Sequence, residues 1–223
     1  MTFPRFANKA MPAIMLVMAA MLCAQNAAAQ NVEVPAVKAP APAETDTQNI
    51  LQLDLSSGGR VSILLRPDLA PAHVERIKTL ARRGFYNGVI FHRVIDGFMA
   101  QTGDPTGTGT GNSNLPDLKA EFNPTPHLRG TVSMARTDKP DSANSQFFIC
   151  FQPRFSLDNN YTVFGRVISG MQFVDAIQRG EPPANPDRII QASIAADNKP
   201  APMFVPKALT APAGPAITVD QLK

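Results

Sequence analysis

Proline sets the first limit on what this chain can fold into, because it cannot donate to the hydrogen-bond ladder of a helix or a sheet. More than half of its 21 prolines fall between Val34 and Pro42 or between Pro182 and Pro215. Those stretches read as margins, so the folded unit is shorter than the 223-residue chain. With 44% hydrophobic and 17% charged residues, the part between the margins has the means to bury a core.

At the N-terminus, Arg5 and Lys9 precede an apolar stretch from Ala13 to Ala24, and Ala27-Ala28-Ala29 precede Gln30. This is the layout of a cleavable export signal over residues 1–29. The competing reading is an uncleaved membrane anchor, since no charge lies between Lys9 and Glu33 and about 20 apolar residues span a bilayer. Gln25, Asn26 and Gln30 interrupt the run and favour cleavage. Leu22 sits where lipid attachment at Cys23 would need a small residue.

Cleavage after Ala29 removes two of the 21 basic residues and none of the 18 acidic ones, leaving 19 against 18 and a formal charge of +1. That charge gives no reason to expect nucleic acid or an acidic membrane surface as a partner. A stable membrane association is not expected of the cleaved chain, and a monomer is. Cys150 then stands without a partner for a disulfide, and its neighbours Phe147, Phe148 and Ile149 make it a buried, inert thiol.

Residues 30–47, rich in Pro and Ala without apolar periodicity, form a semi-extended linker. The ordered domain is expected over 48–197 and a Pro-rich tail over 198–223, where Met203, Phe204 and Val205 have the means to dock locally. Alternation from Ile50 to Leu55 and from Val61 to Leu65 around Ser57-Gly58-Gly59 predicts an opening β-hairpin. Val74, Ile77, Leu80 and Ala81 predict a helix over 70–83, with Pro71 at its start and Gly84 past its end. A second helix is expected over 171–179, stopped by Gly180. Further strands are expected at 91–95, 98–102, 131–135, 147–151, 161–167 and 189–195, so the pattern predicts a mostly β domain with two helices.

The polar inventory excludes several chemistries. His73, His92 and His127 lack ligand-like spacing, so no metal site is expected. There is no G-x-S-x-G elbow and no phosphate-binding G-x-x-x-x-G-K. Gly107-Thr108-Gly109-Thr110-Gly111 precedes Asn112, Ser113, Asn114 and Pro116 instead of a helix, and reads as a flexible surface loop.

Three segments rise above this background: GFYNGVIFHRVIDGFMAQTGD at 84–104, GTVSMARTDKPDSANSQFFIC at 130–150, and LDNNYTVFGRV at 157–167. In order and separation they resemble the cyclophilins, peptidyl-prolyl cis-trans isomerases, over about residues 48–195. The resemblance implies a closed eight-stranded antiparallel β-barrel capped by two α-helices, acting without cofactor or metal on proline-containing unfolded or partly folded polypeptides. Carried over residue by residue, it implies catalytic roles for Arg93 and Gln101. It implies substrate-binding roles for Phe98, Met99, Ala135, Arg136, Gln146, Phe148, Leu157 and Tyr161. With the export signal, the expected place of work is the periplasm of a Gram-negative bacterium, with export-linked folding as the task.

The physical logic agrees. The peptide bond before proline resists rotation by roughly 18–20 kcal/mol, and its uncatalysed exchange takes on the order of tens to hundreds of seconds. A 90° twist localises a lone pair on nitrogen, creating an acceptor that the planar bond lacks. A guanidinium aimed at that nitrogen binds the twisted state better than either isomer. Phe98, Met99, Phe148 and Leu157 would hold the proline ring, and Gln101 would orient the guanidinium. Phe98 and Met99 are adjacent, however, and within one strand they would face opposite sides. His92 reads as structural, because the reaction transfers no proton. Ser156 followed by Leu157 replaces the tryptophan found beside the pocket in many members, Tyr161 replaces a histidine, and Arg136 an asparagine, changes that bear on cyclosporin binding more than on turnover.

Overall fold

The computed structural model describes residues 46–203. The export signal, the linker up to residue 45, and Phe204 and Val205 of the tail lie outside them. Eight antiparallel strands form one sheet: β1 (Ile50–Leu55), β2 (Gly59–Leu65), β3 (Arg93–Ile95), β4 (Met99–Thr102), β5 (Thr131–Met134), β6 (Phe147–Cys150), β7 (Val163–Ser169) and β8 (Ile189–Ile194). Their order is β3-β4-β6-β5-β7-β2-β1-β8, and the sheet curls into a half-barrel accompanied by two helices, α1 (Pro71–Arg82) and α2 (Met171–Asp175).

The barrel expected as closed is open. β3 and β8 stand at the two ends of the sheet, and no ladder joins them. β3 is only three residues long, and the chain ahead of β8 takes its outer edge. Val94 and Gly180 exchange two main-chain bonds of 2.8 Å, the Phe91 N–H donates to the Asp187 carbonyl at 2.8 Å, and Ile90 makes an isolated bridge with Arg188.

Alternation along the strands seals one face of the sheet. In β2, Val61, Ile63 and Leu65 are buried while Arg60, Ser62 and Leu64 are less so. α1 contributes Val74, Ile77, Leu80 and Ala81 to the same core and packs against β8. Its N-cap, Ala70, offers no side-chain acceptor. The distant Glu121 carboxylate substitutes, accepting from the N–H groups of Ala72 and His73 at 3.1 Å each. The same carboxylate lies 2.6 Å from Nδ1 of the buried His73.

α2 ends four residues before the expected stop. Its last turn tightens, with the Ile177 N–H donating to Val174, and the Asp187 carboxylate then takes the Gln178 N–H at 3.0 Å, drawing the chain off the helix axis. Arg179 caps the carbonyls of Asp175 and Ile177 at 2.6 Å each. Gly107–Gly111, expected as a flexible loop, is pinned from within by Asp104. One carboxylate oxygen accepts from the Thr106 N–H and hydroxyl at 2.7 Å each, and the other from the N–H groups of Gly109 and Gly111 at 2.6 and 3.1 Å. Burial works against the Asp104 charge, but these bonds outweigh it and hold the carboxyl down at about 2. The start of the tail is tied down too, by Arg60 to the Lys199 carbonyl and by Gln191 to that of Pro200, whereas Met203 is 96% exposed. Among the described residues no helix is long and apolar enough to cross a membrane.

Candidate active site

Strand register builds a row. Arg93 of β3 faces Gln101 of β4, Gln101 faces Phe148 of β6, and Phe148 faces Ser133 of β5. Residues paired this way lie on one side of a sheet, as do residues two apart along a strand, so Met99 joins them. Val94, Ala100, Phe147, Ile149 and Val132 belong to the opposite side and enter the main core. A second, smaller apolar cluster results: Met99, Phe148 and Cys150 buried, with Phe98, Ala135, Leu157 and Tyr161 packed against them. The Cys150 thiol is free, and burial pushes its pKa up to about 12, which makes it inert.

The conflict between Phe98 and Met99 is resolved by where β4 begins. Phe98 precedes it, in a turn closed by its N–H to the Ile95 carbonyl at 3.1 Å. Gly97 holds φ +64 in that turn, a conformation that favours glycine, so Phe98 is freed from the alternation of the strand. Tyr161 likewise lies before β7, in a turn where its N–H donates to the Leu157 carbonyl.

Nine of the ten expected site residues line one cavity of about 120 Å³. β3 and β4 with their turn supply Arg93, Phe98, Met99 and Gln101; β6 supplies Phe148; the segment after β5 supplies Ala135 and Arg136; the 155–161 turn supplies Leu157 and Tyr161. Gln146 lies apart, in an adjoining cavity of about 200 Å³ lined also by Gly109, Thr110 and Asn112. Gln101 and Ala135 border both cavities, as does Arg136. The Arg136 guanidinium stands 4.7 Å from the Tyr161 ring centre and donates to the Asn160 carbonyl through Nε and Nη2, at 3.1 and 2.9 Å.

The expected bond from Gln101 to Arg93 is replaced by two others. Gln101 Nε2 donates to Gln146 Oε1 at 2.9 Å, and Gln146 Nε2 donates to the carbonyls of Gly109 and Gly111. The Arg93 guanidinium instead donates through Nε to Glu181 Oε2 at 2.8 Å. No spacing near Arg93 announces Glu181, which follows α2 just ahead of the Pro-rich margin.

A buttress beneath the cavity was also hidden from the sequence. His127 stacks on Phe148, with ring centres 6.2 Å apart and an interplanar angle of 18°. Its Nδ1 lies 2.8 Å from Asp158 Oδ1, and its Nε2 lies 2.8 Å from Ser133 Oγ. A carboxylate only accepts, so Nδ1 carries a proton, and in the neutral ring Nε2 accepts from the serine hydroxyl. Burial works against the Asp158 charge, but the His127 ring and main chain outweigh it and keep the carboxyl below its usual range. Ser133 and His127 are fully buried, so this triad braces the ring and has no access to a substrate. His92 beside Arg93 is buried with neither ring nitrogen hydrogen-bonded.

Comparison with known proteins agrees with this geometry. Residues 50–194 match the family model described as cyclophilin type peptidyl-prolyl cis-trans isomerase/CLD. A probable peptidyl-prolyl cis-trans isomerase of Brucella suis is 50% identical over 184 residues, covering 75% of this chain and 92% of that protein. Peptidyl-prolyl cis-trans isomerase B of Bacillus subtilis is 42% identical over 57% of this chain and 89% of its own length. Among solved structures, a cyclophilin from Hirschia baltica matches with a TM-score of 0.64 and 30% identity over 70% of this chain and 77% of its own. A Cryptosporidium parvum cyclophilin-type isomerase, crystallised in the presence of the dipeptide Ala-Pro, matches with a TM-score of 0.61 and 28% identity over 65% of this chain and 98% of its own. With its half-barrel, its row of Arg93, Gln101 and Phe148, and these likenesses, the chain belongs to the cyclophilin-type peptidyl-prolyl cis-trans isomerases.

Proposed function

We propose that the 120 Å³ cavity receives the proline of an extended Xaa-Pro segment and that Arg93 accelerates rotation of the preceding bond. The observation that carries this reading is the cross-strand row in which Arg93 stands over a floor of Phe148 and Met99. The apolar floor takes the pyrrolidine ring, while the guanidinium donates to the nitrogen as it becomes basic in the twisted state. A donor held near that position before the amide twists would need little reorganisation in the twisted state. Gln101 and Gln146 tie the Gly107–Gly111 loop to β4 and line the adjoining cavity, where they are placed to meet the residues that flank the proline. A module that only gripped proline peptides would gain nothing from a cation at that nitrogen.

Exported polypeptides are the substrate class on this reading, and the periplasm its compartment; the support is the charged start, apolar run and Ala-rich site of residues 1–29. Isomerisation of an Ala-Pro peptide by the purified domain, followed by NMR exchange, tests the first part. Cross-peaks between cis and trans forms are expected at catalytic enzyme concentrations, and their absence sinks the reading. For the second part, N-terminal sequencing of the exported protein is expected to begin at or beside Gln30. An intact N-terminus in the membrane fraction would establish the anchor instead.

A further inference from the structure

We infer that Glu181 is a positioning residue for Arg93. The inference rests on the catalytic reading of Arg93 given above. Three successive residues clamp the chain after α2 onto the β3–β4 hairpin: Arg179 pairs with Asp96 at 3.2 Å, Gly180 exchanges two main-chain bonds with Val94, and Glu181 pairs with Arg93 at 2.8 Å. Gly180 holds φ +147, and a β-carbon there would press on the Pro183 main chain, so the clamp needs glycine at its centre. Main-chain pairing at Gly180 therefore sets the Glu181 backbone beside β3, within reach of Arg93.

The bond is made through Nε alone, and it is the guanidinium's one hydrogen bond among the described residues. Nη1 and Nη2 stay uncommitted, which is what a donor reserved for a transient acceptor requires. Stability does not explain the pair. The Arg93 and Glu181 side chains are 41% and 52% exposed, and pairs in such settings contribute little to folding. Arginine has four side-chain torsions, so a fork left untethered would sample many orientations, of which few reach the proline nitrogen.

The experiment compares turnover and peptide affinity for Glu181→Ala, Glu181→Gln, Arg93→Ala and the double variant Arg93→Ala/Glu181→Ala. Glu181→Ala is expected to slow turnover by about tenfold with an unchanged melting temperature and little change in peptide affinity. Glu181→Gln keeps an acceptor for Nε–H and should restore most of the rate. The Arg93 Nε–H resonance, assigned by its loss in Arg93→Ala, should be protected from exchange in the parent and in Glu181→Gln and exposed in Glu181→Ala. Adding Glu181→Ala to Arg93→Ala should cost nothing more, because a positioning residue has nothing left to position. Full activity in Glu181→Ala beside a crippled Arg93→Ala overturns this inference alone. A Gln variant as slow as the Ala variant also overturns it, since charge and not the bond would be at work. Full activity in Arg93→Ala overturns the catalytic reading, and this inference with it.

Discussion

Phe147 and Phe148 are neighbours in β6, yet they serve different parts of the molecule. Phe147 enters the main core, edge-on to Tyr86 and Phe164 with ring centres 5.6 and 6.0 Å away. Phe148 faces the other way, edge-on to Tyr161 and stacked on His127. The core side is sealed and apolar, whereas the site side is a small apolar floor bordered by Arg93, Gln101 and Arg136. One backbone supports both, so a single residue step along the strand should separate stability from turnover.

The largest expected effect is on the core side. Phe147→Ala removes a ring that is fully buried among other large side chains and should lower stability by about 3–5 kcal/mol. Phe148→Leu keeps an apolar group of similar size and should lower stability by less than about 1.5 kcal/mol while impairing turnover. Urea denaturation and the isomerisation assay on both variants give the comparison directly. A loss in Phe148→Leu that matches Phe147→Ala in stability would erase the distinction between the faces.

Next comes Arg93→Ala, which touches the site side only. Removing one preorganised donor costs on the order of 10² to 10³ in rate elsewhere, so at least a tenfold fall in turnover is expected, with the melting temperature unchanged. Arg93→Lys keeps the charge without the planar fork and should recover only part of the rate. Affinity for a proline peptide, followed by NMR titration, should change much less than turnover. Equal losses in both would reduce Arg93 to a substrate anchor.

The two faces were legible in the sequence to different depths. The alternation of Val61, Ile63 and Leu65 and the helical spacing of Val74, Ile77 and Leu80 mark the core side by physics alone. Arg93, Gln101 and Phe148 share a row because of inter-strand register, which no local window contains; their grouping came from resemblance. Glu181, 88 positions after Arg93, and the His127, Asp158 and Ser133 buttress arise from pairings across the fold. The open edge of the sheet was hidden for a similar reason. β3 is short, and Gly180 competes for the edge that a closing strand would have used.

Acid should act on stability before it acts on turnover. Burial lowers the pKa of both His73 and His92; Glu121 opposes the shift at His73 and Asp104 at His92, while Arg76 and Arg93 reinforce it. An unfolded histidine binds its proton near pH 6.5, above the folded value, so the unfolded state binds more protons as pH falls below about 6.5. Stability is therefore fully present above that pH and lost below it, by at most about 1.4 kcal/mol per pH unit for each histidine. Urea midpoints between pH 8 and 5.5 should show this slope, and His92→Gln should flatten it, since glutamine does not titrate in that range. Turnover per folded molecule should stay level over the same range, because the reaction transfers no proton. A level stability curve would mean that the histidines protonate freely in the folded protein.

The smallest expected effect is a gain at Ser156, which is exposed in the short turn just before the cavity-lining Leu157. The family resemblance implies that a tryptophan at this place holds cyclosporin, through an apolar ring and an indole N–H that serine lacks. This chain should therefore bind the drug weakly, and Ser156→Trp should tighten it by about 1–2 kcal/mol, a factor of about 5 to 30. The exposed position leaves room for the larger ring without repacking either face, so melting temperature should hold. Turnover should move by less than the drug affinity, since the row of Arg93, Gln101 and Phe148 does not include Ser156. Calorimetric titration of parent and variant measures the change. Tight binding by the parent would show that the drug is held by other walls of the cavity, and that the correspondence drawn at Ser156 is misplaced.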